Sequence, residues 1–236
     1  MKEYKNHLKR VAKMFNNGDS KFYESDSYPW GNEIRKFHPL MEWASIAKAE
    51  KYLERYWLSK QEYLKKWKPL QNQIFINQND WFPNFMFKNE FLIYPTFGGK
   101  IFWEKSIAAF NNALLEIGET NIVVIQNNFN NTYVGSNDGL TFMLKYPVGI
   151  KWEELNIGHN LTDDLLIGID QDFYIFGENT GWAMYSATRD LFPMNILAFK
   201  PPHKAIFLKY FHEIKLNDEL INEYLPNNYK IHLAQP

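Results

Sequence analysis

The chain has 236 residues, no cysteine, 45% hydrophobic and 17% aromatic content, and a formal net charge of −1. That length can bury a substantial core, and the missing cysteines exclude disulfides, thiolate metal sites and a cysteine nucleophile. Near-neutral charge argues against a generally basic nucleic-acid binder. Lys5, Lys9, Arg10 and Lys13 interrupt the first 15 residues, so no signal-peptide core is present, and no apolar run approaches the roughly 20 residues of a membrane helix. The expectation is a soluble, cytoplasmic protein with neither a membrane nor a nucleic acid as partner.

Tyr4, Leu8, Val11, Ala12 and Phe15 share one helical stripe, and Asn16-Asn17-Gly18-Asp19 provides its stop. Residues 20–40 read as an extended loop. A long helix follows, with Trp43, Ile46, Ala49, Leu53, Tyr56 and Trp57 on one face and charges on the other. Ser59-Lys60-Gln61-Glu62 reads as a capping box that restarts the helix through Tyr63, Leu64 and Trp67, with Pro69 closing it. Beyond residue 69 the texture becomes mixed, and Gln73–Ile76 and Glu90–Tyr94 read as short strands. The spacing predicts a helix over Phe102–Ile117, ended by Gly118, then a buried strand at Asn121–Gln126. Asn131–Val134 and Leu140–Tyr146 flank a Gly-Ser-Asn-Asp-Gly turn and read as a hairpin. Asp172–Gly177 and Trp182–Ser186 form a second hairpin around Glu178-Asn179-Thr180-Gly181. Met194–Phe199 is the next strand, and Ala205–Ile214 and Asp218–Leu225 are short closing helices. Helices followed by antiparallel strands make an α+β fold, taken as one domain over 1–236 with a sub-boundary near 69.

Motifs for chemistry are sparse. His7, His38, His159, His203, His212 and His232 show no metal-ligand spacing. Asp170-Gln171-Asp172 could hold a cation against a phosphate, but its place before an apolar run reads as a solvated strand entry. Gly98-Gly99-Lys100 precedes a helix and could cradle an anion, yet it lacks the Walker spacing and reads as a plain turn. No G-x-S-x-G elbow or Ser-x-x-Lys pair occurs. No catalytic residue, metal or cofactor is therefore assigned.

Aromatic residues divide into those at helical or strand period, which belong to the core, and a second set in irregular segments. Tyr23, Tyr28, Trp30, Phe37, Trp81, Phe82 and Phe85 form that second set, either pinning loops or anchoring an interface. Charge is segregated as well. Residues 1–68 carry +6, 69–150 carry −2, 151–190 carry −6 and 191–236 carry +1. An acidic face of this kind steers basic partners; the competing account is that its carboxylates pair with the N-terminal helices of the same molecule.

The run Phe173–Tyr185, followed by Arg189-Asp190 and Ile196–Phe199, resembles a hairpin near the C-termini of small bacterial proteins linked to polymorphic-toxin immunity. The resemblance spans about 30 residues and rests on an aromatic strand, a polar turn, Trp182 and Tyr185 three apart, a charged residue and an apolar strand. It implies a non-enzymatic inhibitor that occludes a cognate protein toxin. Asp170, Asp172, Glu178, Trp182 and Tyr185 are the candidate partner-binding residues. The alternative is a hydrolase-type enzyme whose site is assembled from distant groups such as His159, Asp163, Asp170 and Asp172.

Overall fold

Ridges of apolar side chains on both faces of one antiparallel sheet organise the molecule. The computed structural model describes residues 4–6, 8–9, 38–76, 85–97, 104–127, 141–155, 172–187 and 194–234. Within them run helix α1 (His38–Tyr56), α2 (Lys60–Glu62), a π-helical turn (Tyr63–Trp67) and α3 (Lys68–Ile74). Strand β1 (Leu92–Phe97), α4 (Glu104–Glu116), β2 (Asn121–Gln126) and β3 (Met143–Pro147) follow. The C-terminal part contributes β4 (Phe173–Phe176), β5 (Trp182–Ala187), β6 (Met194–Phe199), a 3-10 turn (Pro201–His203), α5 (Lys204–Phe211), α6 (Asp218–Tyr224) and α7 (Asn227–Lys230). This is an α+β fold. Among the described residues no helix is long and apolar enough to cross a membrane.

The six strands lie in the order β1-β6-β5-β4-β2-β3, every neighbouring pair antiparallel. Antiparallel sheets commonly leave one face to solvent; this one is covered on both. Alternate residues point to opposite faces. On the first face Ile122, Val124, Ile175, Trp182, Met184, Leu197 and Phe199 pack with Leu53 of α1, Phe110 and Leu114 of α4, and Phe207 and Phe211 of α5. On the second, Val123, Ile125, Tyr174, Phe176, Ala183, Tyr185, Ile196 and Ala198 pack with Trp67, Ile74, Phe75, Phe87, Leu216, Ile221 and Tyr229. This explains why β4 and β6 are buried at every position and show no polar alternation in sequence.

Local signals place several elements. At the end of α4, Gly118 has φ +76°. The Gly118 amide donates to the Leu115 carbonyl (3.1 Å) and the Glu119 amide to the Leu114 carbonyl (2.8 Å), the paired bonds of a Schellman stop. Ser59 caps α2 by accepting the Glu62 amide at 3.2 Å. Glu62, however, does not return the bond; its carboxylate accepts from Trp67 Nε1 (3.2 Å) and Lys145 Nζ (2.6 Å) and so ties α2 to β3. Burial raises the Glu62 pKa, but those two donors and the charges of Lys145 and Lys66 together outweigh it and leave the carboxyl below its usual value.

Pro69 does not close the helix. It stands at the start of α3, where a missing amide costs nothing. The π turn before it, with the Lys68 amide on the Tyr63 carbonyl, carries the chain onward. Gln73 and Ile74 are consequently helical, and the strand expected at Gln73–Ile76 shrinks to one bridge between Phe75 and Phe87. β3 pairs with β2; the expected partner run Asn131–Val134 lies outside the described residues. At the N-terminus residues 4–6 and 8–9 are helical, with Tyr4 and Leu8 buried; Val11, Ala12 and Phe15 lie outside the described residues.

The two outer strands do not end in solvent. On β1 the Ile93 amide donates to the His232 carbonyl (2.8 Å), the Ala234 amide to the Ile93 carbonyl (2.8 Å) and the Leu216 amide to the Pro95 carbonyl (3.2 Å). On β3 the Met143 carbonyl accepts from the Leu58 amide at 2.9 Å.

Candidate functional site

The two ends of the sheet differ in chemistry. At one end lie the β4–β5 turn and Glu119, which precedes β2. Glu119 is 4% exposed, and its carboxylate accepts from the amides of Thr120 (3.2 Å), Glu178 (3.0 Å) and Asn179 (2.9 Å) and from Trp182 Nε1 (3.0 Å). Four donors converging on one carboxylate offset the cost of burying the charge. The chain passes so close that a Cβ on Gly177 would sit 2.2 Å from Glu119 Oε2. A Cβ on Gly181 would sit 2.4 Å from His203 Nε2. Burial, and then the charge of Lys200, lower the His203 pKa. The polar turn is thus a hairpin clamped from inside.

At the opposite end polar side chains enter the core on both faces. On the second face Asp172, fully buried, accepts the Tyr185 hydroxyl proton at 2.6 Å, and Asn127 Nδ2 donates to the same hydroxyl oxygen at 3.1 Å. The Asn127 amide donates to the Asp172 carbonyl at 2.7 Å, joining β2 to the start of β4. Burial, and next the adjoining Asp172 charge, push the Tyr185 pKa well up. The phenol therefore stays protonated and serves as a fixed donor; it is no base at ordinary pH. On the first face Thr96, Asn195, Ser186 and Gln126 are all buried. Gln126 Oε1 accepts the Phe142 amide at 2.9 Å.

Topology gives this second end its importance. β1, β2 and β5 finish there, and β3, β4 and β6 begin there, as their registers require. Segments 98–103, 128–140 and 188–193 follow strands that finish at that end, and 156–171 precedes β4, which begins there. Loops fixed to one end of a rigid sheet are where binding residues concentrate.

The five residues singled out in the sequence do not form one surface. Asp170 lies outside the described residues, as do His159 and Asp163. Asp172 and Tyr185 meet directly, but inside the core; Asp172 is not a solvated strand entry, because the side chain that precedes β4 turns under α7 and the second-face layer. Trp182 is fully buried at the other end, with its ring 5.1 Å from that of Phe110 and its indole N–H on Glu119. Of the five, Glu178 alone is both described and substantially exposed, and it pairs with Lys66 at 2.8 Å. Its amide is held by Glu119.

Internal pairing claims more of the acidic window. Glu154 takes both Arg55 and the Tyr56 hydroxyl, so Glu154, Asp172 and Glu178 are all engaged within the chain. Of the irregular aromatics, Phe85 packs inward against Phe87, Tyr229 and the His232 ring; Tyr23, Tyr28, Trp30, Phe37, Trp81 and Phe82 lie outside the described residues. Among the described residues no three His, Asp or Glu side chains are grouped to hold a metal ion.

Glu119, Asn127, Ser186 and Asn195 carry the geometry that sequence reasoning missed. For Ser186 and Asn195 the signal is a polar residue near the end of an apolar strand, as in Met194-Asn195-Ile196-Leu197; Glu119 and Asn127 lie in polar runs flanking β2 and give no such signal. Only the cross-strand register shows that several such residues lie side by side. Compared with protein-family models, with curated proteins and with solved structures, the chain matches none.

Proposed function

We propose that the chain is a non-enzymatic protein-binding protein of the toxin-immunity kind, which blocks a basic active site on its partner. One observation carries the reading: segments 98–103, 128–140 and 188–193 follow strands that finish at one end of the sheet and 156–171 precedes a strand that begins there, and together their sequences contain Asp138, Asp163, Asp164, Asp170 and Asp190 against Lys100 and Arg189. Of the window's other carboxylates, Glu154, Glu178 and Asp172 are engaged within the molecule, while Glu153 is exposed. Most of the window's remaining acidic residues therefore fall, in sequence, within segments that adjoin this end of the sheet. Such a concentration accelerates capture of a basic surface and makes the association sensitive to salt. Within the hairpin Tyr185 lies buried toward that end and Trp182 buried at the other, so neither ring is offered as a contact.

The reading is tested with a candidate toxin domain taken from a gene that neighbours this chain's own. Binding is followed by titration calorimetry, and protection by growth of cells expressing both. The combined variant Asp163→Lys, Asp164→Lys, Asp170→Lys is expected to weaken binding at least tenfold and to abolish protection. Lys60→Glu with Lys65→Glu, on the opposite-charge helical surface, is expected to leave both unchanged. Unaltered affinity in the aspartate variant, or no protection by the unaltered chain, overturns the proposal.

A further inference from the structure

Across the first face of the sheet, register places Thr96 opposite Asn195, Asn195 opposite Ser186, Ser186 opposite Phe173, and Phe173 opposite Gln126. One row at the polar end therefore holds four polar side chains on five strands. The next row inward reads Tyr94, Leu197, Met184, Ile175 and Val124. The polar row is thus smaller in side-chain volume than its neighbour, although all four of its polar residues are buried. Ser186 is fully buried, yet its Oγ makes no hydrogen bond. Thr96 Oγ1 reaches a partner only at 3.5 Å, on the Asn195 carbonyl.

A buried hydroxyl without a partner is costly, and folded proteins keep very few. Side chains directly opposite on one face of an antiparallel pair have Cβ atoms about 5 Å apart. At that spacing a single water beside the pair can hydrogen-bond to both side chains. Such a water needs two or more polar partners, and Ser186, Asn195 and Thr96 stand consecutively. We propose that this row is an internal hydration site, in which ordered water held between Ser186 and Asn195 completes the hydrogen bonding of the Ser186 hydroxyl. The site takes a small uncharged group that both donates and accepts, because the row supplies two hydroxyls and two amides and no charge. The inference stands independently of the binding reading.

Two measurements test it. In the unaltered protein, nuclear Overhauser transfer from the water resonance is expected at the backbone amides of Ser186 and Asn195, and to vanish in Ser186→Ala. In the same variant the Tm is expected to fall by about 2–4 °C, since the water loses a partner. A dry, orphaned hydroxyl gives the opposite sign, because alanine then removes a desolvated polar group and the Tm rises. Absence of the water transfer in the unaltered protein, or an unchanged or raised Tm in Ser186→Ala, overturns the proposal. Thermal shift in the presence of up to 1 M glycerol adds a control: Ser186→Ala and the unaltered chain should respond equally if water alone fills the row, and a gain confined to the unaltered chain would show a small polyol as the occupant instead.

Discussion

Two buried carboxylates, Glu119 and Asp172, sit at opposite ends of the same sheet and do different work. Glu119 collects three main-chain amides and an indole N–H, so nearly all its acceptor capacity is spent on fixing the path of the backbone. Asp172 receives a tyrosine hydroxyl that is itself held by an asparagine, a chain of side chains instead of a clamp on the main chain. The first arrangement leaves the hairpin turn no alternative. The second links buried polar residues of β5, the end of β2 and the start of β4 at the opposite end of the sheet.

That contrast can be broken by mutation, and the largest effect is expected at the clamp. Glu119→Ala strands the amides of Glu178 and Asn179 and the Trp182 indole, and should destabilise by about 3–5 kcal/mol in urea unfolding. A loss under 1 kcal/mol would mean that the carboxylate is not what holds the turn. Gly177→Ala attacks the same end by steric means, since the new methyl meets Glu119 at 2.2 Å. A cost of about 1–3 kcal/mol is expected. Asn179 and Trp182 resonances should shift with it.

At the other end Tyr185→Phe removes the donor to Asp172 and should cost about 1–2 kcal/mol, leaving the hairpin resonances near Glu119 in place. The same tyrosine sharpens the comparison through pH. Burial and then Asp172 raise the Tyr185 pKa, and burial raises those of Tyr52, Tyr146 and Tyr229 as well. A phenol whose folded pKa lies above its unfolded value of about 10 keeps its full contribution below that pH and loses it progressively above. The urea midpoint should therefore hold from pH 7 to 9 and fall beyond about pH 10. Tyrosinate absorbance should appear together with unfolding. Tyr185→Phe should shallow that fall, whereas Gly177→Ala should lower the whole curve without changing its slope. The smallest effect is expected at Lys66→Ala, whose half-exposed pair with Glu178 contributes within about 0.5 kcal/mol. A larger loss would show that the exposed side of the turn matters as much as the clamp beneath it.

Strand identity was legible where residue type and length agreed. Asn121–Gln126 and Met194–Phe199 coincide with their strands, and the Phe173–Ala187 hairpin forms as its Glu-Asn-Thr-Gly turn suggests. The helix ending at Gly118 was equally plain. Reading failed where a proline was taken as a stop, because a π turn moved Pro69 into a first-turn position. For Asp172, Trp182 and Tyr185 the sequence did not disclose that they are buried. Their polar atoms suggested surface roles, while their partners, Glu119 and Asn127, lie some 45 to 65 residues away in sequence. Nothing local distinguishes an indole reaching for a partner protein from one reaching for a carboxylate in the preceding strand's approach. The candidate end of the sheet was invisible for a related reason. A single Ser or Asn at a strand terminus says little until the register sets four of them in line.

The coverings of the outer strands bear on how this molecule can associate. The residues following α7 and α5 occupy main-chain groups of β1, residues before α2 occupy one of β3, and β3 itself carries Lys145 and Pro147. Where these groups are engaged, a second polypeptide finds no ready template for adding a strand of its own. Recognition through backbone pairing along the sheet is thereby disfavoured, as is growth of the sheet into a fibre. Where those groups are taken, contact with another polypeptide falls to side chains.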